Sequence, residues 1–210
     1  ILENGPEPIE WLVLDVKDGK AFLLARYGLD RHQYHTEAMI NGDIKRPMTI
    51  TWEMCDMREW LNNEFINVAF TNEEIQSIVL TLITNPPSKY GYDGGDDTWD
   101  KVFLLSGEET KKYLGEEVWI NKEIKYCNDK AYTKPTAYAI AQGVEAAHYR
   151  IWYDGNCQWW VRTLGKGTNW AGMISFDGGY NVGGRYVDAG LAVRPVIWID
   201  LETANARNAY

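Results

Sequence analysis

The chain has 210 residues, a length that suits one domain of moderate size with a substantial buried core. Its formal net charge of -9 at pH 7 would repel a phosphate backbone, which argues against nucleic-acid binding. No apolar run approaches the roughly 20 residues that a membrane-spanning helix needs. We therefore expect a single domain over residues 1–210, with its core at about residues 8–201.

The first half of the chain predicts a β-hairpin followed by irregular structure. Two apolar runs, residues 11–16 and 21–25, flank an Asp-Gly dipeptide at residues 18–19. Asp-Gly between apolar runs is the strongest short-range signal for a tight hairpin turn. Residues 27–51 are polar and without a clear period, so they predict irregular structure.

Helices are predicted where a capping residue is followed three positions later by Glu. Such capping boxes are formed by Asp56 with Glu59, Thr71 with Glu74, and Ser106 with Glu109. The β-branched run at residues 81–84 predicts a strand, and residues 102–105 predict a buried one. Pro135 predicts the start of a further short helix that ends near Ala141.

The last quarter of the chain predicts strands. Asp177-Gly178-Gly179 separates residues 173–176 from residues 180–182, which predicts another hairpin. Residues 193–199 predict a strand that closes the core sheet. Antiparallel hairpins with helices grouped between them predict an α+β fold rather than a parallel α/β fold.

Motifs of established catalytic sites are absent. The sequence holds no GxSxG, HExxH or P-loop pattern. The glycine-rich residues 178–184 lack the following helix and the Lys-Ser/Thr of a phosphate loop, so they predict turns between strands. The cysteines at positions 55, 127 and 157 lack a CxxC pair, which argues against a zinc site or a disulfide framework. One of them paired with His148 as a base remains an open alternative.

An acidic loop over residues 88–100 offers a candidate metal site. Carboxylates grouped around glycines carry the oxygen ligands that calcium prefers. The four candidates are Asp93, Asp96, Asp97 and Asp100. Their spacing does not match an EF-hand, and a solvated loop is the alternative. We accordingly expect either no cofactor or calcium.

Rings alternate with planar hydrogen-bonding groups between residues 152 and 188. Such a mixture suits a sugar or a protein hot spot, although strand alternation would expose only about half of the side chains. The candidate ligand-binding residues are Trp152, Tyr153, Asp154, Trp159, Arg162, Asn169, Trp170, Tyr180, Asn181, Arg185, Tyr186 and Asp188. Arg194, which precedes Pro195 and an apolar run, is instead expected to be buried with a carboxylate partner.

Short phrases spread over nearly the whole chain carry a family resemblance. They are PIEW at residues 8–11, TWE at 51–53, REWLN at 58–62, DKVFLLS at 100–106, WWVR at 159–162 and VRPVIWI at 193–199. With them the chain resembles a bacterial domain-of-unknown-function family, found mostly in secreted or surface proteins. That family is similar to the C-type-lectin-like fold of formylglycine-generating enzymes and of ligand-binding proteins diversified by retroelements.

The resemblance implies that both ends of the domain lie in one sheet and that the C-terminal part carries the binding surface. It also implies an extracellular or cell-surface location. The sequence lacks the Glu-Pro-Asn, Gln-Pro-Asp and Trp-Asn-Asp motifs of calcium-dependent sugar-binding lectins. It also lacks the close redox pair of cysteines that formylglycine-generating enzymes need.

We therefore expect a non-catalytic recognition domain that binds a glycan or a protein ligand through its C-terminal aromatic and polar face. Two alternatives stay open. One is an enzyme of the formylglycine-generating superfold with a different chemistry. The other is a structural spacer module, in which most of the aromatic residues would be buried. The sequence does not specify an oligomeric state.

Overall fold

The structure, a computed structural model, describes residues 8–36, 49–115, 118–120, 123–125, 129–148 and 154–205. The strands of this part are β1 (Trp11–Lys17), β2 (Lys20–Ala25), β3 (Asp30–Gln33), β4 (Thr81–Ile83), β5 (Thr98–Asp100), β6 (Val102–Phe103), β7 (Val118–Ile120), β8 (Glu123–Lys125), β9 (Trp159–Leu164), β10 (Trp170–Ile174), β11 (Tyr180–Tyr186), β12 (Gly190–Val193) and β13 (Val196–Asp200). Its helices are α1 (Asp56–Trp60), α2 (Ile66–Ala69), α3 (Asn72–Ser77), α4 (Gly107–Leu114), α5 (Ala137–Ala141) and α6 (Leu201–Asn205), with π-helical Leu61–Phe65 joining α1 to α2.

A four-stranded antiparallel sheet has the order β1-β2-β13-β6. Asp18 and Gly19 between β1 and β2 have φ angles of 50° and 71°, as a two-residue primed turn requires. The predicted N-terminal hairpin is therefore confirmed. The closing strand predicted over residues 193–199 is confirmed in part as β13, which begins at Val196 and lies between β2 and β6, whereas Val193 ends β12 in a different sheet. The N-terminal hairpin and the last strand consequently share one sheet.

A five-stranded sheet has the order β11-β10-β9-β12-β3, in which only β12 and β9 run parallel. The predicted hairpin between β10 and β11 is confirmed, with Ile174 opposite Tyr180. A register shift between Ala171 and Met173 bends this pairing, and β11 forms the edge of the sheet. The prediction of irregular structure was wrong at Asp30–Gln33, because pairing with β12 overrides its polar local sequence.

Two of the three predicted capping boxes are confirmed. Thr71 with Glu74 and Ser106 with Glu109 exchange both reciprocal hydrogen bonds at the starts of α3 and α4. The prediction of Asp56 as an N-cap was wrong. Cys55 occupies that position, and the Asp56 carboxylate accepts the backbone N–H of Thr36 at 2.7 Å instead.

Two short strand pairs complete the described part of the chain. The predicted strand near residues 81–84 is confirmed as β4, and it pairs antiparallel with β5. The acidic loop that connects them is therefore shorter at its C-terminal end than predicted, because residues 98–100 are strand. β7 and β8 pair antiparallel with each other.

A buried carboxylate joins α1 to the β4–β5 pair. The side chain of Asp100 is fully buried and accepts hydrogen bonds from Trp52 Nε1 at 2.9 Å, Thr98 Oγ1 at 2.7 Å and Arg58 Nε at 2.7 Å. Four positions after Arg58, Asn62 Oδ1 accepts the backbone N–H groups of residues 101 and 102 at 2.9 and 3.1 Å. These bonds hold α1 and the π-helical segment that follows it against β5 and β6, and β6 belongs to the four-stranded sheet.

Arg194 is buried and structural, as predicted, but its partners are carbonyls rather than a carboxylate. Its side chain donates to the backbone oxygens of Ala25 at 2.7 Å, Lys130 at 2.6 Å and Arg26 at 3.3 Å. The guanidinium carbon lies 5.0 Å from the centre of the Trp159 ring. Burial lowers the pKa of this guanidinium, since desolvation disfavours its charged form.

We predict that Asp100→Asn lowers the free energy of unfolding by roughly 3 kcal/mol, because it leaves the Arg58 guanidinium without its buried counter-charge. Chemical denaturation followed by tryptophan fluorescence measures this change. Asp96→Asn is the matched control, since the Asp96 side chain is exposed, and it should stay within about 0.5 kcal/mol of the parent protein. Equal stability of the two variants would contradict the role assigned to Asp100.

Candidate ligand-binding surface

Two of the three cysteines do not have the properties of a catalytic nucleophile. Cys55 and Cys157 are 2% and 1% exposed. Burial raises the pKa of each thiol to about 12, so both stay protonated near neutral pH. His148, the candidate base, is largely exposed and lies 3.9 Å from the Asp154 carboxylate. Cys127 lies outside the described residues.

The four carboxylates predicted as a calcium site do not converge. Asp100 was wrongly included. Its side chain points from β5 into the core, where its carboxylate already accepts three hydrogen bonds. Asp93 and Asp97 accept the backbone N–H groups of Gly95 and Asn85 at 3.1 and 3.0 Å. Within the described ranges, no three Asp, Glu, His or Cys side chains are placed to hold a metal ion.

Two predicted ligand-binding residues are buried. Trp159 is 0% exposed, and its Nε1 donates to the carbonyl of Ala131 at 3.3 Å. Arg162 is 5% exposed and donates to the Leu104 carbonyl at 2.8 Å and to the Glu109 carboxylate. Both side chains therefore hold the scaffold together and leave no surface for a ligand. The cavity beside Arg162 has a volume of about 10 Å³, room for about one water molecule.

Several polar candidates lie apart from the aromatic ones. Arg185 is exposed, and strand alternation places it on the face of β11 opposite to Tyr186. Its NH1 donates to Gln158 Oε1 at 3.3 Å. Asp188 is exposed in the turn after β11, and its carbonyl accepts the side chain of Gln33 at 2.7 Å. Asp154 lies beside His148, and Trp152 and Tyr153 fall outside the described residues.

Trp170 and Tyr186 form a cross-strand aromatic pair. They are opposite each other in the β10–β11 register, with ring centres 4.1 Å apart. The ammonium of Lys166 lies 4.1 Å from the centre of the Trp170 ring, which is a cation–π contact. Gly167 allows the ring to lie close to the backbone, since a Cβ there would come within 2.7 Å of Trp170. Tyr186, which packs on the Trp170 ring, is 51% exposed.

A second exposed ring reaches the same edge of the sheet. Lys166 donates its backbone N–H to the carbonyl of Gly183 on β11 at 3.0 Å. A Cβ placed on Gly183 would lie 3.3 Å from Asn181 Oδ1, 3.7 Å from the Lys166 side chain and 3.7 Å from the hydroxyl of Tyr90. Tyr90 is 51% exposed. It was absent from the candidates, because it lies in the acidic loop, 90 residues before the first residue of β11.

Tyr180 packs beneath this edge of the sheet. Its side chain is partly buried, and a Cβ on Gly107 or Gly172 would come within 2.4 or 3.1 Å of it. It therefore packs between β10 and the start of α4. Burial raises the pKa of its hydroxyl to about 12, so the ring stays neutral at physiological pH. Asn169 is also partly buried, and its carbonyl accepts the N–H of Val187 at 3.0 Å.

The contacts bring four exposed side chains to one edge of the five-stranded sheet, where Tyr186 lies on one face of β11 and Asn181, opposite Met173, lies on the other. We call this the β11-edge surface, and it consists of Tyr90, Lys166, Asn181 and Tyr186. Trp170 and Tyr180 lie beneath it. Of the four, Asn181 and Tyr186 were predicted from the sequence. Lys166 and Tyr90 were missed because only the tertiary structure places their loops beside β11.

The fold and this surface define an α+β domain that displays rings and polar groups along a sheet edge. The family model described as Domain of unknown function (DUF6273) matches residues 18–201, and the chain therefore belongs to this family. No curated protein and no solved structure matches it. Among the residues that the structure describes, no helix has the length and apolar character to cross a membrane.

We predict that neither Cys55 nor Cys157 reacts with Ellman's reagent in the folded Cys127→Ser protein at pH 8, because both thiols are buried and protonated. In guanidinium chloride, where the chain is unfolded, two thiols per chain should react. Absorbance of the released thiolate measures both. Rapid reaction of one thiol in the folded protein would contradict this account and would favour a catalytic cysteine.

Proposed function

We propose that this protein is a non-catalytic recognition domain that binds a glycan through the β11-edge surface. The observation that carries the proposal is the exposed Tyr186 ring, held in place by Trp170 beside the Lys166 ammonium. Flat rings stack against the apolar C–H faces of sugars, while amide and ammonium groups hydrogen-bond to sugar hydroxyls. Tyr90 and Asn181 add a second ring and an amide next to Gly183.

The composition of this surface favours a glycan over a protein partner. The Lys166 side chain reaches from the Gly183 position, where Tyr90 and Asn181 also lie, to the Trp170 ring that packs against Tyr186, so polar groups accompany both exposed rings. Protein hot spots centre instead on well-packed, fully desolvated pockets surrounded by contacts that exclude water. A sugar needs only one or two rings with polar groups beside them, which is the arrangement at this edge.

The support beneath the surface favours binding as well. Tyr186 packs on Trp170, whose ring in turn lies against Gly167, and Tyr180 packs against Gly172. Side chains that are already held in position lose less conformational entropy when a ligand binds. Gly183 also leaves the backbone of β11 open between Tyr90 and Lys166, where a side chain would otherwise lie.

We further propose that the fold is C-type-lectin-like and that the protein is secreted or at the cell surface. The first point is supported by the N-terminal hairpin and the last strand sharing one sheet. The location rests on the family resemblance alone. In this proposal, the C-terminal part carries the binding face, as in the ligand-binding proteins diversified by retroelements.

On an array of glycans, we expect the protein to retain at least one ligand. For that ligand, Tyr186→Ala and Tyr90→Ala should each weaken binding by roughly fivefold, because each removes a stacking ring worth on the order of 1 kcal/mol. Tyr138→Ala is the matched control, since Tyr138 on α5 is 49% exposed and lies outside the proposed surface. Surface plasmon resonance measures the three affinities.

Two results would count against this proposal. One is a glycan that binds all three variants equally well. The other is an array without any retained glycan, combined with capture of a protein partner that depends on Tyr186. The second result would make the β11-edge surface a protein interface. Circular dichroism and thermal unfolding of each variant show whether a loss of binding comes from the surface or from a loss of folding.

A further inference from the structure

A second surface lies at the turn between β1 and β2, where a groove of about 320 Å³ opens to solvent. Its apolar wall comes from Leu80, Leu82 and Trp99, which are 54%, 47% and 60% exposed. Leu82 and Trp99 are opposite each other in the β4–β5 register. Exposed large apolar side chains that line one concave surface are typical of ligand-binding sites.

The floor of the groove is held by packing and by a backbone hydrogen bond. Trp198 on β13 forms it, and its ring stacks on Phe22 with centres 4.7 Å apart and planes 17° apart. The carbonyl of Trp198 accepts the N–H of Val79 at 2.8 Å, and this bond holds the segment that carries Leu80 and Leu82 against the four-stranded sheet. The groove is therefore formed before any ligand binds, as small-molecule sites usually are.

The rim of the groove is cationic. Lys17 and Lys20 line it together with Asp18, in a chain whose net charge is -9. The Lys17–Asp18 pair is 3.9 Å apart and largely exposed, so solvent screens it. No carboxylate in the described part of the chain lies within 4.0 Å of the Lys20 ammonium. Asp200, opposite Lys20 in the sheet, accepts the N–H of Thr203 at 2.9 Å, and this hydrogen bond, together with the nearby charge of Lys20, lowers the pKa of its carboxyl group.

We propose that this groove binds a small apolar carboxylate, such as an aryl or medium-chain acyl acid. The apolar part would lie against Leu82, Trp99 and Trp198, and the carboxylate would lie at Lys20. The volume of about 320 Å³ falls at the lower end of the range for small-ligand sites. A stable protein interface takes roughly 20 residues from each partner, whereas nine residues line this groove.

Decanoate and its neutral analogue decan-1-ol test separately whether the apolar groove and the Lys20 ammonium contribute to binding. Titration calorimetry should show saturable binding of one decanoate per chain, with decanol binding more weakly. Lys20→Gln should lower decanoate affinity by roughly threefold to tenfold and leave decanol affinity unchanged. Leu82→Ser should weaken both ligands by roughly tenfold, because it removes apolar surface that both contact. Val68→Ser is the matched control, since Val68 is 89% exposed away from the groove.

The proposal is wrong if decanoate gives no saturable binding to the parent protein. It is equally wrong if Leu82→Ser and Val68→Ser bind decanoate alike, since the acid would then bind elsewhere. Equal affinities for decanoate and decanol in the parent protein would contradict the proposal that Lys20 binds the carboxylate. Analytical ultracentrifugation adds a further test, because a dimer that Leu82→Ser dissociates would mean that a second copy of the chain covers the groove.

Discussion

Trp52, Arg58 and Thr98 all donate hydrogen bonds to the buried carboxylate of Asp100. A buried charge is strongly unfavourable without a partner, so Arg58 must stay next to Asp100 whenever the chain is folded. Trp52 and Thr98 satisfy the remaining acceptor positions. This constraint fixes α1 against β5, and β5 with β4 fixes both ends of the loop that carries Tyr90. The β11-edge surface and the apolar groove both depend on that placement.

The phrases that carry the family resemblance are largely the places where buried polar groups are satisfied. The TWE and REWLN phrases supply Trp52, Arg58 and Asn62 to the bonds around Asp100. The WWVR and VRPVIWI phrases supply two buried arginines whose donors bind backbone carbonyls. Family membership therefore describes a scaffold. The exposed rings that we propose for binding lie outside these phrases, so membership in the family does not identify a ligand.

Local chemistry was enough to predict the hairpins, two capping boxes and most of the closing strand, since each depends on residues close together in the sequence. The strand at Asp30–Gln33 could not be predicted, because only pairing with β12 gives it a partner. The same limit applies to the site. Which rings of the last quarter are exposed depends on the register of β10 with β11, including its shift at residues 171–173. Buried Trp159 and half-exposed Tyr186 are not distinguishable without that register.

A structural spacer, in which most aromatic residues would be buried, would account for the buried tryptophans, but it gives no reason for exposed Tyr90 and Tyr186 to lie at one edge of the sheet. The most direct test is nuclear magnetic resonance of the ¹⁵N-labelled protein, titrated with the glycan that an array retains most strongly. Our account predicts amide shift changes centred on Tyr90, Lys166, Gly183 and Tyr186. Changes centred instead on residues 154–158, with the β11 edge unaffected, would contradict it.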